Sequence, residues 1–200
     1  MKSSLFAVLT HKGGFASGKA HDHLVAAGEP EVVVHFDGGD PLATRFELRA
    51  DVGKLRVDED PLREELFPRL RELGLLEHAF APVTDEQRAD IRKAMLSRKQ
   101  LDVERFPQLG AKLVSVTPEP SKLGEVELSH AGVVELSVHG KTVRRPFRAR
   151  VVAGDGATTL EAVGEATFTE LGIEPYSAFL GAVKNLDRFH FYLRLDVAAD

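Results

Sequence analysis

Eight histidines and no cysteine occur in the sequence, so any metal chemistry would have to rest on imidazole and carboxylate ligands. His21 and His23 are the pair whose spacing permits it. Residues two apart on a strand share a face, so both imidazoles could bind one zinc ion while Asp22 points away. A third ligand is required. His35 supplies it only if the turn over residues 27–31 sets the right register, and the competing reading is a pair of hydrogen-bonded structural histidines. A Ser-His-Asp hydrolase has less support. No Gly-x-Ser-x-Gly elbow occurs, and Ser17-Gly18 is near His21 only along the chain. Gly13-Gly14 and Gly38-Gly39 lack the lysine and hydroxyl of a phosphate loop and read as turns.

The elements that would carry these groups belong to one ordinary domain spanning residues 1–200. The chain has 31 acidic against 26 basic side chains, a net charge of -5 and 43% hydrophobic residues. That balance argues against nucleic-acid binding, which relies on clustered Lys and Arg, and the lack of cysteine rules out disulfides and thiolate metal sites. The apolar run from Leu5 to Leu9 is too short to span a membrane and poor as a signal core, so no transmembrane segment is predicted. The chain as given reads as cytoplasmic, or as periplasmic or secreted if a leader was removed before numbering. Whether it dimerises is left open.

Most of the sequence alternates with a period of two. Phe189, Phe191, Leu193, Leu195 and Val197 interleave with polar residues, as do Phe46 to Val52 and Phe147 to Val151. Further strands are predicted over 5–10, 19–26, 32–36, 111–117, 125–129, 133–139 and 159–169. Turn signals separate them at Asp37 to Asp40, His139-Gly140-Lys141 and Gly154-Asp155-Gly156. About eight to ten strands result, spaced as in an antiparallel sandwich or barrel. Two helices interrupt them. Thr84 and Gln87 form a capping box ahead of the stripe Ile91, Ala94, Met95 and Leu101. Asp60-Pro61 starts an earlier helix through Leu62, Leu66, Leu70 and Leu73, in which Pro68 predicts a kink or two short pieces. The inward row Leu160, Ala162, Gly164, Ala166 and Phe168 has three small residues at its middle, leaving space for a cavity or for bulky neighbours.

Three blocks in order resemble the YceI-like family. The first runs from Leu101-Asp102 through Phe106-Pro107 into the strand containing Ser115. The second is Leu136 to Pro146, with the His139-Gly140 turn, and the third is Phe168 through Gly172 to Gly181, leading to Asp187. The match covers residues 84 to 197 and extends more loosely to Ala20-His21-Asp22. The resemblance implies a lipocalin-like antiparallel β-barrel whose interior holds a long apolar molecule, in some relatives a polyisoprenoid such as a quinone or a prenyl diphosphate. Many relatives carry a secretion signal, whereas this chain shows none. Its stretch 60–83 is also longer and more helical than the usual pattern. The family offers no shared catalytic motif.

An apolar ligand needs a cavity with a few polar groups at its mouth. The expected lining is Phe46, Leu136, Val138, Phe147, Ala162, Gly164, Phe168, Phe191 and Leu193, all of which would equally serve a plain core. Tyr176 and Phe179 could form a lid or pack over one end. Arg144 and Arg145 could meet a diphosphate in bidentate fashion, and with Arg148 and Arg150 they make either a binding face or a solvated one. The leading expectation is a non-enzymatic lipid binder that requires no cofactor. The alternatives are a metal-dependent hydrolase using His21 and His23 and a barrel without a cavity that serves as a partner-binding scaffold.

Overall fold

The computed structural model describes residues 3–14, 21–35, 45–154, 157–178, 180 and 182–198. Its strands are β1 (Ser3–Gly13), β2 (His23–Ala26), β3 (Glu31–His35), β4 (Arg45–Asp51), β5 (Arg56–Val57), β6 (Gln108–Leu123), β7 (Val126–Val138), β8 (Lys141–Gly154), β9 (Ala157–Thr167), β10 (Ser177–Ala178) and β11 (Val183–Ala198). Two helices, α1 (Asp60–Glu72) and α2 (Asp85–Leu96), separate β5 from β6.

All the pairings are antiparallel, and the ladder runs β3-β4-β6-β7-β8-β9-β11-β1-β2-β5, with β10 added to β11. The two ends of this path are joined by the chain itself. β2 runs on into β3 and β4 into β5, so they form two arms of one long hairpin, paired at Glu31↔Arg49 and again at Val25↔Val57. Between those pairings Gly28 lies so close to the Lys54 carbonyl that a Cβ would sit 2.6 Å from it. The sheet thus rolls into an antiparallel barrel, which limits exposed strand edges.

Alternation along the strands creates two apolar layers. Phe6, Leu48, Ala111, Leu136, Ala166 and Phe191 face inward, while Ala7, Leu9, Leu24, Val163 and Tyr192 face outward. α1 covers the outer layer with Leu66, Leu70 and Leu73. Of the two expected outcomes, two short pieces are not seen: α1 is one helix with Pro68 inside it. Burial of Leu66 and Leu70 on both sides of the proline offsets the lost hydrogen bond.

Other boundaries differ as well. The segments 125–129 and 133–139 form one strand, because His130, Ala131 and Gly132 all pair with β8. Gly132 is needed there, since a Cβ would lie 2.2 Å from the Ser115 carbonyl and 2.7 Å from the Phe147 ring. β2 begins only at His23, after Asp22 has turned its carboxylate back to accept from the Lys12 amide at 2.9 Å. Val52 leaves the sheet for a short 3-10 turn in which the Asp51 carboxylate accepts from Gly53 N at 2.7 Å. The predicted turns at 37–40 and 155–156, and the strand ends at Lys19, Ala20 and Phe36, lie outside the described residues. The His139-Gly140 turn forms with both residues at positive φ, 52° and 70°.

Candidate ligand cavity

The barrel interior is divided rather than filled. A larger chamber of about 270 Å³ occupies the end covered by α2, and a smaller one of about 100 Å³ lies beyond it. Phe6, Leu136 and Phe191 line both and form the constriction between them. Phe191 is held there by its cross-strand neighbour Gly164: any Cβ on Gly164 would come within 2.2 Å of the Phe191 ring. The small middle of the predicted row therefore has two outcomes. Gly164 is covered by an aromatic ring from the adjacent strand, whereas Leu160 and Ala162 border the smaller chamber.

Of the expected lining, Phe46, Phe147, Ala162 and Leu193 border the smaller chamber, Val138 and Phe168 the larger one, and Leu136 and Phe191 both. Gly164 is on the same face beneath Phe191. Tyr176 borders the larger chamber and is partly exposed, while Phe179 lies outside the described residues. Arg144 and Arg145 border neither chamber. Arg144 pairs with Glu135 at 3.3 Å, and Arg145 donates to the Glu165 carbonyl and pairs with Glu170 at 3.2 Å, so both guanidiniums are engaged along the sheet.

Sequence reasoning missed the contributions of β1 and α2. Phe6 and Val8 were legible as alternate residues of the predicted first strand, but nothing local says which face points inward. Ile91, Ala94, Met95 and Leu101 were legible as a stripe. In the fold Ile91, Ala94 and Met95 on α2 and Leu101 in the turn beyond its end roof the larger chamber, Met95 and Leu101 also packing against the core, and α2 has no fully buried residue. Arg88 holds α2 in place by donating to the Asp58 carbonyl at 3.0 Å, and Arg92 by donating to the carbonyls of Leu55 and Gly53. The capping box forms as predicted, with Gln87 N donating to Thr84 Oγ1 at 3.2 Å.

The polar groups gather at the α2 end of the larger chamber, among them Thr10, His23, Asp90, Gln100 and Asn185. His23 Nδ1 lies 2.7 Å from Asp58 Oδ2, and Asp58 Oδ1 accepts from Leu24 N at 2.9 Å. Asp58 is completely buried and has a positive φ of 51°, a conformation that a non-glycine residue adopts at a cost. Burial, followed by the nearby His23, lowers the His21 pKa. The ring centroids of His21 and His23 are 6.2 Å apart. His35, the expected third ligand, is exposed at the end of β3, and among the described residues no three His, Asp or Glu groups come together to hold a metal ion. The partner His23 does find, Asp58, was not read from the sequence.

No family model matches the chain, and no curated protein matches it in sequence. Solved structures do match in fold. BcnA of Burkholderia cenocepacia superposes with a TM-score of 0.66 at 10% identity, covering 97% of this chain and 96% of that one. A Campylobacter jejuni YceI protein superposes with a TM-score of 0.50 at 8% identity, covering 88% and 84%. No helix among the described residues is long and apolar enough to cross a membrane.

Proposed function

The YceI-like fold is the premise from which we propose that this chain binds an apolar lipid inside its barrel, non-covalently and without a cofactor. The observation that carries the reading is the larger chamber, lined by Val8, Val25, Ile91, Met95, Phe168 and Phe189 and covered by a helix that is itself barely buried. An isoprenoid tail, including that of a quinone, is the favoured guest. It supplies apolar surface along its whole length and needs few polar partners.

Size limits how much of such a tail enters. A cavity of roughly 150 Å³ accommodates one benzene, so the larger chamber of about 270 Å³ holds on the order of ten carbon atoms. That is about two isoprene units. Reaching the smaller chamber requires the Phe191 ring to rotate off the constriction, and a longer chain must leave past α2. At ~0.8 kcal/mol per buried methylene, ten carbons contribute about 8 kcal/mol before the cost of association, so short isoprenoids should bind in the micromolar to millimolar range.

The test is organic extraction of protein purified from its native host, followed by mass spectrometry, together with titration of the stripped protein with farnesol. A co-purifying isoprenoid or acyl lipid and saturable farnesol uptake are expected. A protein that carries no lipid and takes up no farnesol would overturn the reading.

A further inference from the structure

We infer that Thr10 and His23 form a head-group site at the α2 end of the larger chamber, specific for a guest that ends in an uncharged hydroxyl. This inference rests on the cavity reading above and adds the chemistry of the guest's polar end.

Thr10 lies on the inward face of β1, following Phe6 and Val8, borders the larger chamber, and is only 6% exposed. Its hydroxyl has no hydrogen-bond partner among the described residues. A buried hydroxyl left unmet is costly, and valine would fill the same space without that cost, so the position is explained by a partner that the described residues do not supply.

His23 stands directly opposite Thr10 in the β1–β2 ladder. Side chains so placed on one face are about 5 Å apart, close enough for one small group to touch both. The ring's orientation is fixed by Asp58, whose buried carboxylate accepts from Leu24 N and has Arg63 at 4.0 Å on its other side. A carboxylate held in this way is an acceptor, so Nδ1 carries a proton, and in the neutral ring Nε2 then offers its lone pair.

The two side chains together present one hydroxyl and one acceptor nitrogen. A guest alcohol matches both by donating its proton to His23 Nε2 and accepting from the Thr10 hydroxyl. A carboxylate would face the Nε2 lone pair, an ammonium would leave the Thr10 proton unmet, and a hydrocarbon would satisfy neither group. From this point the chamber runs to Phe6 and Phe191, which gives the tail its direction.

Calorimetric titration with two ten-carbon probes of the same shape tests the inference: butylbenzene, which has no head group, and 4-phenylbutan-1-ol. In the unaltered protein the alcohol should bind at least as tightly as butylbenzene, although its hydroxyl must leave water. Thr10→Val, which keeps the shape of the side chain, should weaken the alcohol five- to tenfold and leave butylbenzene within twofold. Thr10→Ser should restore alcohol binding. An alcohol tenfold weaker than butylbenzene in the unaltered protein, an equal effect of Thr10→Val on both probes, or tighter binding of 4-phenylbutyrate would overturn the head-group site while leaving the cavity intact. Failure of butylbenzene itself to bind would remove the cavity reading and the head-group site with it.

Discussion

Alanine at position 164 would place a methyl group against the Phe191 ring, with no flexible side chain to yield, because the Pro146 carbonyl lies on the same side at 2.7 Å. Gly164→Ala is expected to cost about 1–3 kcal/mol of stability, read as a lower urea midpoint. A second single-residue effect concerns His11 and His190, whose ring nitrogens are 2.7 Å apart on the outer face. Burial, and after it the neighbouring His11, pushes the His190 pKa down to about 4. Because the folded value is depressed, the unfolded chain takes up the proton first as pH falls. The stability associated with His190 is therefore complete above about pH 6.5 and lost on descent toward pH 4. Urea unfolding at pH 7.5 and 5.0 should show this loss, of order 1 kcal/mol after discounting for solvent screening, and His190→Gln should flatten it. The row of small residues around Gly164 was visible in the sequence. What covers it was not, since Phe191 becomes its neighbour only when β9 and β11 pair.

The helices differ in how they are held. α1 is fastened to the sheet by Arg69, which pairs with Glu161 while Tyr192 Oη donates to the same carboxylate at 2.7 Å. Burial opposes the charge on Glu161, but the hydrogen bonds from Arg69 and Tyr192 prevail and hold its carboxyl below the ordinary value. Glu161→Ala strands the buried Tyr192 hydroxyl and leaves Arg69 with Glu72 alone, and should cost about 1–3 kcal/mol in chemical denaturation. α2 is a roof over a cavity and packs against the core through Met95 and Leu96. Thr84→Ala, which removes the cap, should cost about 1 kcal/mol and accelerate amide exchange within 85–96 while leaving the barrel amides protected. Both helices were legible from their caps and apolar spacing. Their destinations were not: α1 overrides Pro68 through tertiary burial, and the α2 stripe reads identically whether it meets a core or a cavity. Asp58 escaped for a related reason, since a single aspartate 35 residues from His23 has no local signature.

Strand alternation, turn positions and the three YceI-like blocks were enough to predict an antiparallel barrel with inserted helices, and the ladder has that form. Closure through the β2–β3 and β4–β5 arms was not predicted, because it depends on pairing that resumes in a shifted register beyond the break at Gly28 and Lys54. The interior volume was also beyond the sequence. It depends on whether facing side chains meet, and here Phe6, Leu136 and Phe191 meet only at a waist, leaving open space on both sides. Cavity walls made of Leu, Ile and Phe side chains take up xenon. A crystal structure under xenon pressure is thus the most direct measurement of whether the barrel is hollow. Xenon peaks are expected in both chambers, with Phe6 and Phe191 in contact with each. A barrel without internal peaks, in which Phe191 and Met95 have rotated to occupy the space, would contradict a lipid-binding role.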